Sequence, residues 1–220
     1  MRNQVVMVYP YQGFSGTYVK HAPLGLLYAT SEVVKSGYEV KIFDTRVISG
    51  DWRPRLQKLI SEDTLCVGIS VMSGSPINHA ISIGQFVKSL DADIPVVWGG
   101  PHATFYPEII VRDEWSADYV ISGYASNSFN NLVDCIARRK PPDTVNGVAW
   151  RDGKEIRTNP DRQKTFEQID YWDIPYHLIE DYSPYGQLDQ NKRIFSMYSA
   201  LGCPYQCTFC SSPAQYRPID

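Results

Sequence analysis

The sequence predicts an α/β protein whose core is a parallel sheet covered by helices on both faces, and three observations carry that prediction. Short β-branched runs such as Val5–Val8 and Leu65–Val71 have almost no polar interruption, as strands buried on both faces do. Between them lie segments of helical period, some opened by proline and the first closed by glycine, where such residues terminate helices best. Strand and helix alternate until Pro141-Pro142 breaks the pattern, and alternation of this kind builds βαβ units with right-handed crossovers.

The elements follow in order. Val5–Val8 is the first strand and runs into the loop Tyr9-Pro10-Tyr11-Gln12-Gly13. Pro23–Ser36 is a helix with Leu26, Leu27, Val33 and Val34 as its apolar positions and Gly37 beyond its end. Tyr38–Phe43 is the second strand, and Trp52, Leu56, Leu59 and Ile60 mark the second helix. Leu65–Val71 is the third strand, and Pro76 opens a helix that turns Ile77, Ile81, Ile83, Val87 and Leu90 inward. Pro95–Trp98 is the fourth strand, ending at Gly99-Gly100, and a helix is expected near Pro107–Trp115. Tyr119–Ile121 is the fifth strand, and Phe129, Leu132, Val133, Ile136 and Ala137 form the last helix of the repeat. The expected architecture is a flavodoxin-like or Rossmann-like doubly wound five-stranded parallel sheet.

After the double proline the pattern changes. Val145–Trp150 and Glu155–Thr158 flank an Asp152-Gly153 turn and read as a small hairpin. Residues 159–190 lack periodicity and are rich in Asp, Pro and Tyr, a composition suited to a connector. Its aromatics Tyr171, Trp172, Tyr176, Tyr182 and Tyr185 are expected to pack one domain against the next. Ile194–Ser199 is a new short strand. The expected organisation is a sheet domain over 1–140, a hairpin and inter-domain linker over 141–190, and the start of a second domain over 191–220.

Composition narrows the function classes. Hydrophobic residues make up 43% of the chain and charged residues 20%, which argues for a folded globular protein. The net charge is −3 with no basic tract, so the electrostatic footprint of a nucleic-acid binder is missing. The apolar run before Pro10 is too short for a signal peptide or a membrane span, so a cytoplasmic location without a membrane partner is expected. Five cysteines in 220 residues are too few for a disulfide scaffold. Cys66 and Cys135 are isolated and read as small core residues, whereas Cys203, Cys207 and Cys210 stand close together.

In an open parallel sheet, ligands bind beyond the carboxyl ends of the strands. The loops there contain Tyr9, Gln12 and Gly13; Ser70, Met72, Ser73 and Gly74; Gly99, Gly100 and His102; and Gly123 and Tyr124. Together they outline a polar crevice, although doubly wound folds place glycine and serine at such turns for conformational reasons as well. Neither a Gly-x-Gly-x-x-Gly nor a Walker loop is present, so nucleotide phosphates are not favoured. His102 either faces the crevice or bonds to the backbone, and His21, His79 and His177 read as structural or solvated. Glu32, Glu39 and Asp44 read as ordinary surface or strand-end charges, and no residue is assigned as catalytic.

Cys203-Pro204-Tyr205-Gln206-Cys207-Thr208-Phe209-Cys210 is the sharper signal. Three thiolates at this spacing can hold three irons of a 4Fe-4S cube and leave the fourth iron open to chelate a substrate. A structural zinc site is the alternative, but it needs a fourth ligand that neither Cys66 nor Cys135 supplies nearby in sequence.

This motif resembles that of the radical S-adenosylmethionine (SAM) enzymes. The stretches Ala22-Pro23-Leu24-Gly25-Leu26-Leu27, Val67-Gly68-Ile69-Ser70-Val71-Met72, Gly99-Gly100-Pro101-His102-Ala103-Thr104 and Asn146-Gly147-Val148-Ala149 resemble the subgroup with an amino-terminal cobalamin-binding domain. The resemblance covers nearly the whole chain. It implies that Cys203, Cys207 and Cys210 hold the cluster, that the open iron binds SAM, and that Phe209 lies near the adenine of the 5′-deoxyadenosyl group. It further implies that Ser70 and Met72 flank the nucleotide tail of cobalamin and that Gly99-Gly100 is the family's glycine pair.

Two departures stand out. The Asp-x-His-x-x-Gly motif that supplies a lower axial histidine is absent after the first strand, so cobalamin is expected to bind without a histidine ligand. The family's Gly-Glu-Gly-Glu stretch is replaced by Gly123-Tyr124-Ala125-Ser126. Ten residues follow Cys210, whereas the catalytic domain of this family is a partial β/α barrel, so the resemblance implies the first barrel strand of a truncated chain. The implied function is the amino-terminal part of a cobalamin-dependent radical SAM methyltransferase. It would act on a small molecule and be served by a reducing partner such as a flavodoxin or ferredoxin. The alternative is a non-catalytic cobalamin- or partner-binding module.

Overall fold

The computed structural model describes residues 2–13, 20–160, 173–186, 192, 194–197, 205 and 207–211. Cys203, Tyr171 and Trp172 lie outside the described residues.

The strands are β1 (Gln4–Tyr9), β2 (Glu39–Asp44), β3 (Thr64–Ser70), β4 (Val96–Gly99), β5 (Tyr119–Ile121), β6 (Val148–Asp152) and β7 (Glu155–Thr158). They form one sheet in the order β2-β1-β3-β4-β5-β6-β7. The first five are parallel, in a register that sets Val8 beside Phe43 and Ile69, and Ile69 beside Trp98.

The helices are α1 (Leu24–Lys35), α2 (Arg53–Leu59), α3 (Pro76–Leu90), α4 (Pro101–Phe105), α5 (Pro107–Asp113) and α6 (Ser126–Ala137). Because side chains alternate across a strand, β1 feeds two cores. Val6 and Val8 meet Leu56, Ile83, Val87 and Val111 on one face. Val5 and Met7 meet Leu26, Val33, Phe129 and Leu132 on the other. Buried Cys66 belongs to the second core, and burial pushes its thiol up to about 12. A third cluster of Leu27, Ile174, Ile179 and Tyr185 seats the connector on α1.

Three expectations need correcting. The sheet has seven strands rather than five, because β6 pairs antiparallel with β5 through Ile121↔Val148 and β7 follows it. The three-residue β5 would otherwise leave an apolar edge open, and the buried Val148, Ala149 and Trp150 cover it. The single helix expected near Pro107–Trp115 is preceded by a second one, so that the glycine pair leads directly into α4. Tyr106 separates α4 from α5 with φ −132° and ψ 43°, since the residue before a proline avoids the helical region. Finally, Ile194–Met197 forms no strand. The Ile194 N–H donates to the Gly186 carbonyl in the connector at 2.8 Å instead of joining a sheet edge. Among the described residues no helix is long and apolar enough to cross a membrane.

Candidate functional site

In the strand order β2-β1-β3, the chain leaves β1 toward one side and reaches β3 on the other, and crevices form at the carboxyl ends of strands around such a switch point. A cavity of about 800 Å³ opens there, within the size range of cofactor sites. Met7, Val97, Ile121 and Phe129 give it an apolar floor, α1 and the start of α6 flank it, and polar groups ring its mouth.

The hollow follows from small residues in three elements. Gly25 and Ala29 are four residues apart on α1 and so share the face that lines the cavity. In β3, a Cβ on Gly68 would stand 2.5 Å from Met7 Sδ, so Met7 keeps its place only beside glycine. A Cβ on Gly99 would meet nothing within 4 Å, which marks open space at the end of β4.

Of the residues singled out from sequence, Tyr9, Gln12, Ser70, Met72, Gly99, Gly100, Gly123 and Tyr124 line this one cavity. Three of them form a rim cluster: Gln12 Nε2 donates to Tyr9 Oη at 3.0 Å and reaches Met72 Sδ at 3.4 Å, and Tyr9 Oη lies 4.0 Å from the same sulfur. Burial pushes the Tyr9 phenol up, which keeps it a neutral donor.

Gly13, Ser73, Gly74 and His102 support the rim from behind. Gly13 has φ +81° and packs against Ser75, whose Oγ donates to the Gln12 carbonyl at 2.7 Å. The Gly74 carbonyl accepts from Ile77 N–H at 3.1 Å and starts α3. His102 donates its backbone N–H to the Val71 carbonyl at 2.9 Å, and its Nδ1 lies 3.0 Å from Ser73 Oγ. Phe209, Cys207 and Cys210 are exposed and do not line the cavity; Cys210 N–H donates to the Cys207 carbonyl at 3.1 Å.

Sequence reasoning missed Arg46, His21 and Ser196, which also line the cavity. Asp44, read as an ordinary charge, is buried and grips Arg46 with both oxygens, Nε to Oδ1 at 2.9 Å and Nη2 to Oδ2 at 2.6 Å. The guanidinium then lies 4.0 Å from the Tyr9 ring centroid, a cation–π contact, and donates to the His21 carbonyl at 2.9 Å. Tyr185 Oη donates to Asp44 Oδ2 at 3.0 Å, and burial with the adjacent carboxylate pushes its phenol up. An Asp-x-Arg at the carboxyl end of a strand was the available signal for this cluster.

The family model described as B12 binding domain matches residues 17–133, more than half of the chain. An uncharacterized methyltransferase of Pyrococcus horikoshii is 28% identical over 195 residues, covering 88% of this chain and 41% of its own length. The anaerobic magnesium-protoporphyrin IX monomethyl ester cyclase of Rubrivivax gelatinosus is 31% identical over 133 residues, covering 58% of this chain and 23% of its own length. Among solved structures, the radical SAM methyltransferase TsrM from Kitasatospora setae, with cobalamin and a 4Fe-4S cluster bound, superposes with a TM-score of 0.70. It is 18% identical and covers 99% of this chain and 43% of its own. The chain therefore spans less than half the length of these relatives.

Proposed function

The chain belongs to the B12-binding domain family, and from that membership we propose that it holds cobalamin across the carboxyl edge of its sheet, as the amino-terminal part of a cobalamin-dependent radical SAM methyltransferase. The observation that carries this is the cavity at the β1/β3 switch point, walled by Gly25, Ala29, Gly68 and Gly99. The residues fit the group. An apolar floor suits the aromatic base of the nucleotide tail, and the rim hydroxyls, Gln12 amide and glycine backbone suit a macrocycle edged with amides. Ser70, Met72, Gly99 and Gly100 would flank the tail, with Tyr9, Gln12, Gly123 and Tyr124 around the ring. Cobalamin, when bound, supplies a cobalt centre able to carry a methyl group. The chain's own residues would exclude water from the tail and hold the ring; no Asp-x-His-x-x-Gly motif follows β1, and His21, the one histidine between β1 and α1, engages Ser196 Oγ through its Nδ1 at 2.6 Å.

The strand order 2-1-3-4-5 of the parallel part is that of flavodoxin-like sheets, which supports a doubly wound cobalamin domain over 1–140, followed by hairpin and linker. Residues 191–220 would open a second domain, a β/α barrel, in which Cys203, Cys207 and Cys210 hold a 4Fe-4S cluster and Phe209 stands near SAM. The methyltransferase reading is favoured because the Pyrococcus horikoshii relative, which covers 88% of this chain, carries that name. A small-molecule substrate, a flavodoxin- or ferredoxin-type reductant and a cytoplasmic location belong to the same reading. A non-catalytic module would leave the cysteine motif without a role.

The test is anaerobic titration with hydroxocobalamin, followed by absorbance and by electron paramagnetic resonance of the Co(II) form. Saturable binding without nitrogen superhyperfine splitting is expected. Absence of binding would remove the cobalamin assignment, and a split signal would remove the histidine-free site.

A further inference from the structure

The connector does not simply leave the sheet domain; it returns to the cavity and becomes part of its wall. Gly186 N–H donates to the Lys20 carbonyl at 2.7 Å, and the Gly186 carbonyl accepts from Ile194 N–H at 2.8 Å. Residues 20, 186 and 194 are thus stitched side by side just ahead of α1. Ser196 Oγ lies 2.6 Å from His21 Nδ1, and both residues line the cavity. Phe195 rests against Tyr176 and Tyr182 with ring centroids 5.5 and 6.0 Å apart, and Tyr182 Oη donates to the Tyr176 carbonyl at 2.8 Å.

The anchor of this assembly is Tyr185. Its ring is buried, and its hydroxyl reaches Asp44 at the end of β2. Asp44 in turn fixes Arg46 over Tyr9, where the same guanidinium donates to the carbonyl of His21, the neighbour of Ser196. A molecule filling the cavity therefore touches Arg46 and Ser196, two groups joined through Asp44 and Tyr185. The Cys203–Cys210 segment begins seven residues after Ser196.

We propose that Tyr185 is a positioning residue, which with Asp44 and Arg46 fixes Gly186, Ile194 and Ser196 beside the cavity and so couples cofactor binding to the placement of the stretch that precedes the cysteine motif. This rests on the cobalamin reading above. The coupling is reciprocal: the factor by which a fixed wall tightens binding is the factor by which binding holds the wall.

The experiment uses the full chain, with hydroxocobalamin as ligand and trypsin cleavage after Lys192 or Arg193 as reporter. In the unsubstituted protein, saturating hydroxocobalamin slows this cleavage. In Tyr185→Phe, which leaves the Asp44–Arg46 pair in place, affinity falls about tenfold and the protection shrinks with it. Ser196→Ala, outside the sheet and its cores, carries the same test without touching the fold and gives a loss of a few-fold in both readouts. If both variants bind at full affinity, or if hydroxocobalamin leaves the cleavage rate of the unsubstituted chain unchanged, the coupling is overturned while the cobalamin site stands. If the unsubstituted chain binds no hydroxocobalamin, both fall together.

Discussion

Gly100 and Ser70 approach so closely that no side chain fits between them: a Cβ on Gly100 would lie 2.9 Å from Ser70 Oγ and 3.0 Å from the Val71 backbone nitrogen. Gly100 also has φ +90° and ψ −174°, a region open in practice to glycine alone. Gly100→Ala therefore meets backbone strain and a tight approach to the Val71 main chain just past β3 at once. A loss of about 1–3 kcal/mol is expected in urea unfolding. Weakened hydroxocobalamin binding should accompany it, because Gly99, Gly100 and Ser70 all line the cavity.

Ala29 separates the cavity from the fold. It sits on α1 facing the cavity, and its neighbours Leu26 and Val33 carry the packing of that helix. Leucine is nearly as good a helix former as alanine, so Ala29→Leu should leave stability within roughly 0.5 kcal/mol. The added side chain projects into the space assigned to the nucleotide tail, and affinity for hydroxocobalamin should fall at least about tenfold. Unchanged affinity in calorimetry would place the tail elsewhere.

Much of this was legible in the sequence because it depends on short-range pattern. The apolar run of β1 and the proline openings of α3 and α5 locate those elements without reference to the rest of the chain. The topology rule then points to the loops after the strands, and eight of the residues found that way share one cavity. What was not legible depends on contacts distant in sequence. A hairpin's period gives two strands but not the edge they join, which is why the pairing of Val148 with Ile121 could not be foreseen. Asp44 looks like a surface charge until Tyr185, 141 residues away, is brought onto it. Ala29 reads as an ordinary helix residue because a hollow is defined by what stands opposite.

His79 gives the fold a pH dependence of definite sign. Its Nδ1 accepts Tyr11 N–H at 2.7 Å, which holds the loop carrying Gln12, and its ring packs 5.3 Å from Trp52. Burial first and the Arg53 charge second hold the imidazole below its ordinary value. The folded state thus binds fewer protons than the unfolded state, so stability is full above the unfolded value of about 6.5 and is lost as pH falls below it toward the folded value. His102, lowered by burial, adds to the same trend. Thermal midpoints measured from pH 8 to pH 5 should fall on the acid side, and His79→Gln should flatten part of that fall. A slope unchanged by the substitution would assign it to other groups.

Cys66 on one side and Cys207 and Cys210 on the other stand in opposite environments and should have opposite chemistry. Cys66 is fully enclosed and its thiol is pushed up to about 12 by burial, so it should resist alkylation in the native protein. Cys207 and Cys210 are exposed thiols joined by a turn hydrogen bond, and they should react readily in the iron-free chain. Anaerobic reconstitution should reverse their reactivity, because a cluster held by Cys203, Cys207 and Cys210 removes all three from solvent chemistry. Replacing the three with alanine should abolish iron uptake. The unfolding midpoint of the sheet should be unmoved, since Cys207 and Cys210 belong to none of its hydrophobic clusters. Stoichiometric iron retained by the triple variant would sink the cluster assignment and leave the cobalamin site intact, because neither Cys207 nor Cys210 lines the cavity.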